Sequence, residues 1–96
     1  MTKQVNFDSP PPRYAQYPNK VEYVREHVLG LNRPKLIENA RKKHGTFQIS
    51  TQTLKNVERL GRANLTTLTK VSEATNALLE DHGYAPVARD VLLQPF

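Results

Sequence analysis

The chain has 96 residues, 38% hydrophobic and 7% aromatic, with no Trp and no Cys. That is one small domain, with enough apolar material for a helical core but not for a large enclosed substrate pocket; disulfides and cysteine zinc sites are excluded, and a reducing, cytoplasmic setting is expected. The net charge of +5 points to a polyanionic partner, or at the least to a basic, solvated surface.

The charge is unevenly spread. Residues 1–20 carry Lys3, Arg13 and Lys20 against Asp8, a net +2. Residues 21–62 carry nine Lys/Arg against four Glu, a net +5. Residues 63–96 carry two basic against four acidic residues, a net −2. A basic middle and an acidic end fit a module with one nucleic-acid face and a separate task at its end.

Residues 1–19 read as a disordered leader. Met1 to Asp8 holds no apolar run, so neither a signal peptide nor a membrane span is expected there. Pro10, Pro11 and Pro12 are consecutive and favour an extended polyproline backbone. Arg13, Tyr14 and Tyr17 lie in this arm, either as part of a floppy segment or as a DNA-touching one.

The spacing predicts a first helix after the capping residue Asn19, with Val21, Val24, Val28 and Leu31 as its apolar stripe and Gly30 at its end. A second helix is capped by Asn32, with Pro34 in its first turn and Leu31 and Leu36 placed as a hydrophobic staple. Leu36, Ile37 and Ala40 face inward. Arg41, Lys42, Lys43 and His44 occupy the last turn, where cations suit the helix dipole, and Gly45 is the stop. A connector spans 46–49. Ser50 or Thr51 caps a third helix running to about Leu60, with Leu54, Val57 and Leu60 inward and Gly61 closing it. Asn64 caps a fourth helix with Leu65, Leu68, Val71, Thr75 and Leu78 on one face, extending to His82 before Gly83. Residues 84–96 form a C-terminal extension in which Pro86 and Pro95 bracket Val87, Val91, Leu92 and Leu93. The expected fold is all-α, a small bundle of four to five helices over residues 20–83.

The third helix carries the functional reading. Its outer face holds Thr51, Gln52, Thr53, Lys55, Asn56 and Arg59. Gln52 and Asn56 are four apart and share one side; Lys55 and Arg59 share the next. Such a face suits the major groove, where amides pair with adenine edges and cations line the phosphates. An ordinary solvated helix face has a similar composition.

The stretch from Ile49 to Arg59 resembles the third helix of the phage repressor/Cro (Xre-type) helix-turn-helix family. That family shows an apolar residue with Ser, then Thr with an apolar residue, then an apolar residue with Glu. Here these are Ile49-Ser50, Thr53-Leu54 and Val57-Glu58, at matching spacing. Asn64 to Ala74 is similar to the family's fourth helix, and Leu29 to Leu36 to the join of its first two. The likeness spans roughly residues 20–80. Two features depart from it. Ala40 is followed by Gly45, and the Ile49-Ser50 pair comes later still, so the turn is about four residues longer. Leu60 stands where the family often ends this helix with Gly, and Gly61 comes one residue later.

The resemblance implies a lambda-repressor-like helix-turn-helix fold and a DNA-binding transcriptional regulator, a repressor of phage or mobile-element type, cytoplasmic and nucleoid-associated. By position it implies base contacts from Thr51, Gln52 and Asn56. Phosphate contacts would come from Arg33, Lys35, Lys55, Arg59 and Arg62, and Glu58 would tie the third helix to its neighbours. Val91, Leu92, Leu93 and Phe96 are expected either to pack within the chain or to join two copies in a homodimer, the arrangement by which the family reads two-fold sites. The rival reading is a derivative that binds another protein, an antiactivator or an antitoxin. No catalytic, metal or cofactor site is expected: His27, His44 and His82 are dispersed, and no phosphate loop or metal-ligand spacing occurs. The basic end of the second helix lacks the broad apolar face of a membrane-surface helix.

Overall fold

Side-chain caps divide the middle of the chain into helices. In the computed structural model, which describes residues 2–96, Asn32 accepts from the Lys35 N–H and opens α1 (Arg33–Lys43). Ser50 accepts from the Thr53 N–H and opens α2 (Thr51–Leu60). Asn64 accepts from the Thr67 N–H and opens α3 (Leu65–Asp81). Each cap satisfies an amide with no partner inside its helix, a contribution of about 1 kcal/mol. Gly61, at φ 64°, closes α2 in the left-handed region that glycine enters without strain. A short α4 (Arg89–Leu92) follows α3. The second, third and fourth predicted helices are thus α1, α2 and α3, and no strand occurs among the described residues beyond an isolated bridge between Lys3 and Tyr84.

The first predicted helix takes another form. After one turn at 21–22 it widens into a π-helix (Tyr23–Val28), in which the Leu29 N–H donates to the Val24 carbonyl at 2.9 Å. The expected one-sided stripe is absent: Val21, Glu22, Tyr23, Val24 and Arg25 are all buried, whereas Val28 and Leu31 are only half-buried. The segment's first five residues are buried together, and only Glu26, His27 and Val28 reach toward the surface.

Part of their cover is the segment expected to be a disordered leader, and here the expectation is corrected. Residues 12–16 form a 3-10 turn that carries Tyr14, 1% exposed, into the core. Phe7 packs against Tyr23 and Phe96, at ring-centroid distances of 5.9 and 6.0 Å. The Lys3 N–H donates to Gly83 O, and Lys3 O accepts from the Ala85 N–H. The prolines and polar residues that look like linker composition separate three aromatic side chains, Phe7, Tyr14 and Tyr17, whose burial holds the segment down. The radius of gyration is 12.2 Å, close to the ~12.5 Å of a compact domain of this length.

The C-terminal extension is likewise part of the core. Leu92 is fully buried, and Leu93 and Phe96 pack against the apolar cluster of Leu36, Leu54, Val57, Val71 and Leu79. The Lys20 ammonium donates to the carbonyls of Val91, Gln94 and Pro95, each at 3.0 Å. A dimer contact through Leu92 is therefore corrected, because its side chain is spent within the chain. Of the four predicted dimer residues only Val91 is exposed.

Tyr14 gives this packing a pH signature. Its hydroxyl donates to Glu26 Oε1 at 2.7 Å. Burial, seconded by that carboxylate, pushes the phenol up to about 12. A raised phenol stabilises the fold fully below the unfolded value near 10 and loses that contribution as pH climbs through 12. Between those limits the protein should lose about 2–3 kcal/mol that Tyr14→Phe does not lose. Urea unfolding of both proteins across this range measures the difference; parallel pH profiles would refute it.

Candidate nucleic-acid interface

The helix singled out from the sequence is held by a buried ion cluster. Leu54 and Val57 turn inward from α2, and beside them Glu58 is fully buried. Glu58 accepts from Arg25 Nε at 2.6 Å and Nη2 at 3.3 Å, and from Arg33 Nε at 2.6 Å. The second buried carboxylate, Glu22, accepts from Arg59 Nε at 2.7 Å and from Arg33 Nη2 at 3.2 Å. Arg25 spends its remaining nitrogen on Leu31 O at 2.7 Å. Three guanidiniums thus face two carboxylates. The excess positive charge lies at the rim, where the Arg33 and Arg59 side chains are 19% and 41% exposed. The Arg59 guanidinium sits 4.6 Å from the centre of the Tyr17 ring, and Glu22's carboxylate holds it above the usual arginine value. Burying charges is costly, and a cluster like this breaks even only when every donor and acceptor is matched; among the described residues no buried side-chain polar atom lacks a partner.

The predicted phosphate contacts divide on this geometry. Arg33 and Arg59 are bound to carboxylates and help to fix the pose of α2, with their exposed edges at the rim of the cluster. Lys55 and Arg62 are exposed and make no ion pair among the described residues. Lys35 shares Glu38 with Lys42 at 3.5 and 3.6 Å, a solvated arrangement that leaves the ammonium open to another anion.

The outer face of α2 presents Thr51, Gln52 and Lys55 to solvent, with Thr53 and Asn56 half-buried. Gln52 Nε2 donates to Asn56 Oδ1 at 2.9 Å, so the two predicted base-contacting amides lie side by side. The loop after α2 is flanked by two exposed leucines, Leu60 at 60% and Leu65 at 66%, both expected inside. The connector between α1 and α2, though long, is anchored: Phe47 and Ile49 are buried, and the Phe47 N–H donates to His44 O at 2.9 Å.

The concavities are small. One of about 70 Å³ lies between the connector and α3, beside His44, Phe47 and Lys70. Another of about 260 Å³ lies between the ends of α1 and α3, beside Lys42, Asp81 and His82. Among the described residues no group of three or more His, Cys, Asp or Glu side chains is placed to hold a metal ion, and no helix is long and apolar enough to cross a membrane.

Sequence reasoning missed Glu22, Arg25, Tyr17 and Asn19 as determinants of this site. No local signal marked Glu22 and Arg25: with Glu26 they fall at three- and four-residue spacing, the pattern of an ordinary solvated helix face. The chain matches no protein-family model, no curated protein and no solved structure.

Proposed function

We propose that this chain is a helix-turn-helix, sequence-specific DNA-binding regulator, a repressor of the phage type, with α1 and α2 as its paired helices. The observation that carries the reading is the outer face of α2: Thr51, Gln52 and Lys55 open to solvent on a helix whose opposite side is locked by Leu54, Val57 and Glu58. A rigid helix with paired amides on its free face meets the requirement for reading base edges. Gln52 and Asn56 would exchange their mutual hydrogen bond for donors and acceptors of an adenine. Lys35, Lys55 and Arg62 would neutralise phosphates. The residue pattern shared with the phage repressor family supports the same reading. Two copies on half-sites ~34 Å apart would follow the operator's symmetry.

The test is selection from a random duplex pool, followed by gel shifts at several salt concentrations. Gln52→Ala or Asn56→Ala should remove ~1–3 kcal/mol of discrimination at one base pair and little elsewhere. With about three phosphates neutralised per copy, log K should fall against log salt with a slope near −2.7. Weak, sequence-blind binding that disappears at physiological salt would overturn the reading. It would favour instead a protein-binding derivative, to which the exposed Leu60 and Leu65 are the pointer.

A further inference from the structure

We propose that Tyr17, Pro18 and Asn19 form a strap that sets the pose of the last turn of α2, and so act as positioning residues for the surface that this helix reads. The inference deepens the DNA-binding reading and rests on it for its functional consequence, but not for its structural one.

Three contacts carry it. Asn19 Nδ2 donates to Val57 O at 2.7 Å, the same carbonyl that accepts the Gly61 N–H at 3.1 Å. The other end of that buried amide, Oδ1, accepts from the Val21 N–H at 3.1 Å. One side chain thereby joins the turn that leads into the π-helix to the end of α2. Tyr17 lies against the Arg59 guanidinium, which also donates to both Glu22 carboxylate oxygens. Tyr17 is itself fixed edge-on by Tyr14, at a centroid distance of 6.3 Å and an interplanar angle of 69°. Pro18 closes over Gly61: a Cβ placed on that glycine would stand 3.0 Å from Pro18 Cβ.

The last turn of a helix is where fraying begins, because its carbonyls have no partners ahead of them. Here that turn is held by hydrogen bond, by cation–π contact and by steric closure, all from residues 17–19. The Ser50 cap acts at the start of α2, and the ion pairs of Glu58 and Arg59 hold the last turn from its buried side and rim. The strap adds a third hold on that turn, from the side of residues 17–19, and so limits the tilt of α2. Gln52 and Asn56 are one to two turns from the held end, where a small tilt displaces their amides enough to spoil paired hydrogen bonds.

Amide hydrogen exchange on the free protein tests the strap whether or not α2 reads DNA. In Tyr17→Leu, which keeps an apolar side chain at a half-buried position, amides 58–61 should exchange about tenfold faster while amides 71–79 of α3 keep their rates. Equal acceleration in α2 and α3 would reduce residues 17–19 to general stability and overturn the proposal, as would unchanged rates in α2. In the duplex assay, Tyr17→Leu should narrow the ratio between selected and random DNA about tenfold while leaving weak binding to random DNA as it was. Should the native protein select no sequence at all, the DNA reading falls, and the exchange result still decides the strap.

Discussion

Glu58→Gln should lower the unfolding free energy by about 3–5 kcal/mol, as expected when one partner of a buried ion pair is removed. The carboxylate is fully buried and receives hydrogen bonds from both Arg25 and Arg33. Glutamine keeps the shape but removes the negative charge and turns N–H donors toward guanidiniums that are donors themselves. Arg25 is buried too, and its guanidinium has no other carboxylate to turn to. Three cations would then face Glu22 alone. A domain of this size has about 5–15 kcal/mol in hand, so the loss is a large share of its stability. Replacing Glu58 by Leu and Arg25 by Met together should recover most of it, since an apolar pair carries no desolvation penalty. Urea unfolding followed by circular dichroism compares the three proteins. A single variant within about 1 kcal/mol of the native protein would show that water reaches the cluster.

The same cluster explains which parts of the fold are legible in the sequence. The caps at Asn32, Ser50 and Asn64 act on amides three residues ahead, so the sequence contains both partners of each bond in one short window. The inward positions Leu36, Ile37, Ala40, Leu54, Val57, Val71 and Leu78 follow from helical period once those starts are known. Leu60 and Leu65 obey the same period and are nonetheless exposed, because they sit at helix ends where the core has already turned away. The roles of Arg33 and Arg59 are not local. Glu22 meets Arg59 across 37 positions, and Glu58 meets Arg33 across 25. An arginine that faces a carboxylate looks the same in sequence as one that faces a phosphate. The leader fails for a related reason: its aromatic anchors are separated by prolines, and their partners Tyr23, Glu26 and Phe96 are remote. The polar face of α2 is legible as a face because helical spacing defines it; what it binds is not a property of spacing.

Leu92→Ala should destabilise the monomer by about 2–5 kcal/mol, the range for truncating a fully buried leucine. Deletion of residues 87–96 should leave no cooperative unfolding transition. The tail contributes more than one side chain. Leu92 O accepts from the Lys20 N–H at 2.9 Å, and the Lys20 ammonium, whose pKa burial lowers, finds its acceptors in the carbonyls of Val91, Gln94 and Pro95. Phe96 packs edge-on against Tyr23 at 5.1 Å and meets Phe7, which belongs to the opposite end of the chain. Removing the tail therefore uncovers the π-helix and releases the residues that hold the N-terminal segment, and with it the strap on α2. The rival expectation, that the tail joins two copies, makes different predictions. Under it, Leu92→Ala would shift sedimentation toward a smaller species, and thermal stability would rise with protein concentration. Under intramolecular packing, the loss is the same at every concentration. Val91→Lys, at the one exposed position of the four, should then be nearly silent in stability. Equilibrium sedimentation and thermal melts over a hundredfold concentration range distinguish the two. A concentration-dependent melt abolished by Val91→Lys would return the tail to an interface, with Leu92 as the core beneath it.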